Sequence, residues 1–316
     1  MYFSSIAQNS QTQTFHGNHV AKALTLVNPD SKISKGLTRI DASAFQAYVR
    51  TLPYRLGVTV DVVNALKQFD GDSFLFASFD FLGHKLGFSR NIRPQVQVVD
   101  NIAGGAHMVY LPLHNIIACN KSTISKMSQE SVFGLMRHEY QHYIQNINAL
   151  RHETLGEEVV EIMSQNNIKM QKKSMEALFE NYSQDQIAQI YSESPETLEY
   201  IMYIKKAMDS GDEKLVNQIF DAVGQEYKDA LVAFRKSVID ELGVIKKDSA
   251  LTPKIKRDFD ELQEVGYYNA DGTPDLGRYF ASEIEDEAIK AQSAAELAFN
   301  PEICGVKQFR DAILES

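Results

Sequence analysis

The sequence predicts an α+β protein that is mainly α-helical and carries a small sheet in its first half. Short runs of β-branched and aromatic residues, separated by Gly, Pro and Asn, lie between residues 73 and 118, and such runs are typical of strands. After Pro112 the next prolines are Pro195 and Pro253, and the segments between them are dense in Glu, Lys, Ala, Leu, Ile and Met at helical spacing. Helices should therefore dominate the second half.

The first elements follow in chain order. Residues 1–40 are rich in Ser, Gln, Asn and Thr with turn signals, and they predict a polar leader of loop-like or weakly ordered structure. Residues 41–153 should hold the sheet and a helix with the central motif. Within them, "ASAFQAYVRTLPYRLGVTVDVVNALKQF" predicts two helices separated at Pro53. The segments that predict strands are "SFLFASFDFLGH", "VQVVD" and "HMVYLPLHNIIA".

The later elements are predicted to be helical. A helix should begin after Ser128, with Ser128 as its N-cap and Glu130 in its first turn. Residues 154–265 predict a long helical region, and "TLGE" at 154–157 is a capping-box pattern that would start it. Residues 266–316 begin with the turn signals of "GYYNADGTPDLG" and then predict a last helix from near Ser282.

Composition and charge exclude several classes of function. The net charge is −10, which opposes binding to nucleic acid. No apolar run approaches the ~20 residues that span a bilayer. Two cysteines without a CxxC spacing fit a reducing compartment. Because no classical signal peptide is visible, we expect a cytoplasmic protein or one exported by a non-classical, effector-like route.

The stretch "MRHEYQHYIQN", residues 136–146, carries the clearest chemistry. His138 and His142 are four residues apart, so one helical face presents both rings to a single ion. Glu139 lies about 100° round the helix from His138. That position suits a general base acting on metal-activated water, and not a ligand. The alternative is a chance match on a polar helix face, but apolar flanks and a preceding strand favour the metal.

This stretch also resembles a known superfamily. A strand followed by a helix with "HEYQH" resembles the zincin metallopeptidases, and "HEYQHYIQ" is similar to the H-E-x-Q-H-x-x-Q form of bacterial and phage-associated zinc peptidases. These often carry a later E-x-E-A on a helix, which "EDEA" at 285–288 matches. The resemblance implies a zincin-like core with a large helical insertion, Zn²⁺ as cofactor, and hydrolysis of a protein or peptide substrate bound along an edge strand. It also implies an oxyanion-stabilising role for one of Tyr267, Tyr268 and Tyr279.

A catalytic zinc site usually has three protein ligands, so a third must follow. The metzincin continuation is absent, because Gln145 and Asn148 replace its glycine and histidine. Glu287 ranks first, since it falls within an apolar stripe of the last helix formed by Phe280, Ile284, Ala288, Ala291, Ala294, Ala295 and Ala298. Glu285 ranks second and Glu161 third.

Two other functions stay open at this stage. The same site could hydrolyse a non-peptide amide. Alternatively, the chain could be a non-catalytic helical interaction protein whose residues 154–265 bind a partner and whose zinc site is vestigial. The remaining histidines, including His152, rank lower, because a lone histidine is more often structural or exposed than a ligand.

Overall fold

The computed structural model describes residues 60–102, 106–263 and 282–299. It confirms an α+β architecture that is mainly α-helical, with one small three-stranded sheet in the described ranges. The described helices are α1 (Val60–Leu66), α2 (Gly71–Lys85), α3 (Lys121–Ile124), α4 (Gln129–Leu150), α5 (Leu155–Asn181), α6 (Gln184–Ile190), α7 (Pro195–Asp209), α8 (Glu213–Leu242), α9 (Thr252–Gln263) and α10 (Glu283–Phe299).

Several predictions fall outside the described residues. These are the polar leader at 1–40, the helix before Pro53, and the three tyrosines Tyr267, Tyr268 and Tyr279.

The prediction of a strand at "SFLFASFDFLGH" is wrong, because this segment lies within α2. Its apolar residues recur at helical spacing, and Phe74, Phe81 and Leu82 are all buried. The ring of Phe81 packs against Phe133 of α4, and that of Phe74 against Phe299 of α10. Aromatic content favours strands only weakly, and packing against two helices overrides it here.

The sheet has strand order β1-β3-β2, with β1 at Gln95–Val99, β2 at Met108–Leu111 and β3 at Ile116–Asn120. The strand predicted at "VQVVD" is confirmed as β1, whereas "HMVYLPLHNIIA" forms two strands and not one. Strands β2 and β3 are antiparallel, with Met108 opposite Cys119 and Leu111 opposite Ile116. The chain reverses after Pro112, where Asn115 adopts a positive φ of 50°. Among the described strands, β3 is therefore central and β2 lies at an edge.

Helix α4 begins as the sequence predicts. The Ser128 hydroxyl accepts a hydrogen bond from the Ser131 amide at 3.3 Å, and Glu130 lies in the first turn. Tyr140 and Tyr143 are fully buried, and their hydroxyls donate to the carbonyls of Phe79 and Ile92. These contacts fix the rotation of α4 about its axis.

The helical region predicted at 154–265 is confirmed over the described residues 155–263, but the capping box at its start is wrong. Thr154 makes no side-chain cap to α5. Instead Nδ1 of His152 accepts from the amides of Thr154 and Leu155, each at 3.3 Å. His152 is thus a buried structural histidine, as ranked.

The described chain divides into two compact units. The first, called the sheet unit, comprises residues 60–98, 106–146, 257–263 and 282–299. The second, called the helical unit, comprises residues 99–102 and 147–256, so the boundary falls within α4. Across the ranges described, no helix has both the length and the apolar character that a membrane crossing requires.

Candidate metal centre

Three side chains of the sheet unit converge at one point. His138 and His142 lie one turn apart on α4, and their Nε2 atoms are 3.1 Å apart. Glu285, in the first turn of α10, approaches both rings. Its Oε1 lies 3.4 Å from Nε2 of His138, and its Oε2 lies 3.3 Å from Nε2 of His142. The structure therefore brings together the two predicted histidines and the second-ranked glutamate.

These distances suit one bound cation. A tetrahedral ion that binds nitrogen or oxygen at about 2.0–2.1 Å keeps its ligand atoms about 3.3–3.4 Å apart. The three separations lie at or near that value, with Oε1 of Glu285 facing His138 and Oε2 facing His142. A search of the described residues for clusters of His, Cys, Asp and Glu that could hold an ion finds these three side chains. Their ligand atoms all lie within 4.8 Å of one another.

The burial of Glu285 provides a further test of whether the three side chains fit a bound cation. Glu285 is only 2% exposed, and within the described structure its Oε2 has no hydrogen-bond partner. A buried carboxylate oxygen without a partner is unfavourable, because nothing replaces the water that it loses on folding. A cation at the convergence point would satisfy this oxygen, so the donor set fits a metal.

Charge in the cluster is arranged to keep the carboxylate ionised. Burial opposes ionisation of Glu285, but the facing rings of His138 and His142, when protonated, outweigh it and hold its pKa well below the ordinary value. Burial likewise opposes protonation of His142, yet the facing carboxylate of Glu285 and the charge of Glu139 raise its pKa above the ordinary value. The N-terminal turn of α10 also favours a negative charge at Glu285.

The candidate base Glu139 lies outside this cluster. It is buried, and its Oε2 accepts a hydrogen bond of 2.6 Å from the backbone amide of Tyr110 in β2. The carboxylate is therefore held against the edge strand and not in the convergence point.

The first-ranked ligand, Glu287, does not join the histidines. Its Oε2 accepts from Nε2 of Gln145 at 3.2 Å, and its Oε1 lies 3.9 Å from the guanidinium of Arg257. The geometry therefore favours Glu285 over Glu287, and the identity of the third ligand stays a prediction.

The buried face of α10 extends further toward Glu285 than the predicted stripe does, which explains why the sequence ranked Glu287 first. The predicted stripe relied on small alanines, and one of them, Ala294, is only half-buried. Phe299, which was left out of the stripe, is fully buried. At about 100° per residue, Phe299 lies about 40° from Glu285 but about 120° from Glu287. Ala288, Ala291 and Ala295 of the predicted stripe are as buried as Phe299, so the centre of the stripe was right and Phe299 extends the buried face toward Glu285.

The third-ranked ligand, Glu161, is exposed in the helical unit. Its carboxylate pairs with Lys228 at 2.6 Å and accepts from Gln165 at 2.9 Å. It takes no part in the cluster.

Two further residues contact the candidate site, and the sequence analysis assigned them no contact there. Gln145 accepts from Nδ1 of His142 at 3.0 Å, and its place one turn after His142 could have indicated this contact. Tyr110 acts through its backbone amide, which no side-chain pattern reveals.

Comparisons of the chain with known protein families, with curated proteins and with solved structures gave no match. The resemblance to zincins therefore stays a prediction, and the functional argument depends on the geometry of the site.

Proposed function

We propose that this chain is a zinc-dependent metallopeptidase. In this proposal His138, His142 and Glu285 hold the zinc, and Glu139 is the general base. The convergence of two imidazole nitrogens and one buried carboxylate on a single point is the observation that carries the proposal.

The donor set favours zinc over harder cations. Imidazole nitrogen suits zinc, whereas calcium and magnesium prefer oxygen ligands alone. Three protein ligands also match catalytic zinc sites, which leave one position for water or substrate. Zinc held here would supply Lewis acidity toward a carbonyl oxygen and would acidify water.

Glu139 is suited to proton transfer. It follows His138 directly in sequence but stays out of the cluster, and its charge acts on His142. Its orientation is set by the Tyr110 amide. From this position the carboxylate would accept a proton from an attacking water and deliver it to the leaving amine.

The neighbouring edge strand supports a peptide as substrate. Among the described strands, β2 lies at an edge of the sheet, and its Tyr110 amide already donates to Glu139, so a peptide would pair with other main-chain groups of this strand. An extended peptide can add to such an edge through main-chain hydrogen bonds, with its side chains alternating between pockets.

Zinc content tests the proposal most directly. The purified parent, and a His138→Ala variant prepared in parallel, would be analysed for zinc and assayed on an unfolded protein and on small amides. We expect one zinc per parent chain, cleavage of the unfolded protein, and neither property in the variant. A parent that neither carries nor binds zinc would refute the proposal. If the parent cleaved small amides but not the unfolded protein, the proposed activity would change from peptidase to amidohydrolase.

A further inference from the structure

Gln145 contacts one candidate ligand, His142, and the backbone next to another, Glu285. It lies on α4, one turn after His142, and is buried. Its Oε1 lies 3.0 Å from Nδ1 of His142. Its Nε2 donates to the carbonyl of Ile284 at 3.1 Å and to Glu287 at 3.2 Å. Ile284 directly precedes the ligand candidate Glu285.

These partners determine which way the amide of Gln145 points. A backbone carbonyl and a carboxylate can only accept hydrogen bonds, so both require the amide nitrogen of Gln145. The amide oxygen must then face His142. Because this oxygen can only accept, Nδ1 of His142 must carry a hydrogen and donate it.

The same argument determines the tautomer of the ring. A neutral imidazole has one N–H and one nitrogen with a lone pair. With the hydrogen on Nδ1, the lone pair of His142 lies on Nε2, the atom that faces His138 and Glu285 at 3.1 and 3.3 Å. The ring is thus prepared to bind a metal before any ion arrives.

We infer that Gln145 is a positioning residue that fixes His142 in the Nδ1–H tautomer and ties the backbone beside Glu285 to α4. The inference deepens the proposed zinc site and rests on it. Outer hydrogen-bond partners of metal-binding histidines typically contribute about 10–100-fold to metal affinity, so we assign a contribution of that size to Gln145.

The tautomer can be measured without any metal. Long-range ¹H–¹⁵N spectra of the metal-free parent, recorded above the pKa of His142, distinguish Nδ1–H from Nε2–H. We expect Nδ1–H in the parent and a shift toward Nε2–H in Gln145→Leu, which removes the acceptor at similar size. Nε2–H in the parent would overturn the inference even if the protein binds zinc well. This parent spectrum decides the matter if Gln145→Leu does not fold.

Cobalt titration of the same proteins measures the effect on the ligand set, since Co²⁺ reports binding through its absorption spectrum. We expect Gln145→Leu to bind Co²⁺ about 10–100-fold more weakly than the parent. Glu287→Gln is the matched control, because it changes the other partner of Gln145 and leaves His142 untouched. Its affinity should stay close to that of the parent.

A rescue variant shows whether an effect of Gln145→Leu comes from loss of the hydrogen-bond acceptor for His142 or from altered packing. The double variant Gln145→Glu with Glu287→Gln keeps the net charge and restores an acceptor for Nδ1 of His142, but not the donor to the Ile284 carbonyl. Its metal-free spectrum should return His142 to Nδ1–H, and an Nε2–H spectrum would overturn the inference. A parent that fails to bind Co²⁺ and Zn²⁺ would instead refute the proposed function, while the tautomer measurement would still stand by itself.

Discussion

The sheet unit and the helical unit bury different kinds of side chain. The described core of the helical unit includes a cluster of apolar and aromatic residues, namely Met175, Ile187, Tyr191, Ile201, Ile204, Ala207, Val216 and Phe220. The acidic and basic side chains (Asp, Glu, Arg, Lys or His) that are buried in the described part of the sheet unit are Arg137, His138, Glu139, Asp258 and Glu285. In the described helical unit, the one side chain of these five types that is similarly buried is His152.

Under the proposed function, this difference shows where stability is given up to hold the groups that act on the substrate. Apolar burial stabilises a fold by about 25 cal/mol per Å², whereas a buried charge destabilises it unless partners compensate. Sites that break the ordinary rules of a core are expected to be functional or strained. Substitutions in the sheet unit should therefore change metal binding or activity, and those in the helical unit should change stability alone.

The largest effect should come from Glu139→Gln. Glutamine keeps the shape and can still accept the hydrogen bond from the Tyr110 amide, but it cannot take a proton. We expect hydrolysis of an unfolded protein to fall about 10²–10⁴-fold while the zinc content stays at the parent level. Full activity in the variant would remove Glu139 from the chemistry. Loss of zinc as well would make it a ligand or a structural support.

The next effect concerns the two glutamates of α10. Glu285→Ala removes a group that faces both histidines, so zinc affinity should fall by more than the ~10–100-fold typical of an outer hydrogen-bond partner. Glu287→Ala removes a contact of Gln145 and Arg257, so any loss should be smaller. Competition with a zinc chelator measures both. If Glu287→Ala weakened zinc binding more than Glu285→Ala, Glu287 would again rank first as the third ligand.

How far the sequence could predict this site depends on the distance between its parts. His138, Glu139 and His142 lie within five positions of one helix, so their geometry follows from local periodicity alone. Glu285 comes from a helix that tertiary packing brings to α4, and an alanine-rich face indicates its rotation poorly. The backbone amide of Tyr110 has no sequence signature at all.

The same contrast explains the successful helix predictions and one of the errors in the fold. The long helices of the helical unit are rich in strong helix formers, so composition alone predicts them. Helix α2 is a phenylalanine-rich run that is buried against other elements, and local propensity gives no reliable choice between helix and strand there.

Two glycines allow a matched test of the two units. A Cβ at Gly134 of α4 would lie 2.3 Å from Cγ of Glu296 on α10, and a Cβ at Gly224 of α8 would lie 2.3 Å from Cδ1 of Ile168 on α5. Overpacking costs about 1–3 kcal/mol, and replacing a mid-helix glycine by alanine recovers about 1 kcal/mol, so either Gly→Ala change should lower the free energy of unfolding by up to about 2 kcal/mol. Only Gly134→Ala should also weaken zinc binding, because it displaces the helix that carries Glu285.

Denaturant unfolding and zinc titration of both glycine variants check this prediction. A fall in zinc affinity for Gly224→Ala would show that the centre depends on the packing of the helical unit. That result would break the proposed separation between the two units.

The smallest effect should come from Glu161→Gln. This carboxylate is exposed, and its pairs with Lys228 and Gln165 are surrounded by solvent, so screening leaves them little influence on stability. Hydrogen bonds from Lys228 and Gln165 lower its pKa, so whatever stability it adds is present above the unfolded pKa and is lost as the pH falls. At neutral pH we expect a nearly unchanged thermal midpoint and unchanged zinc affinity. A sharp loss of zinc in this variant would move the third ligand into the helical unit, because no contact of Glu161 in the described structure could otherwise account for it.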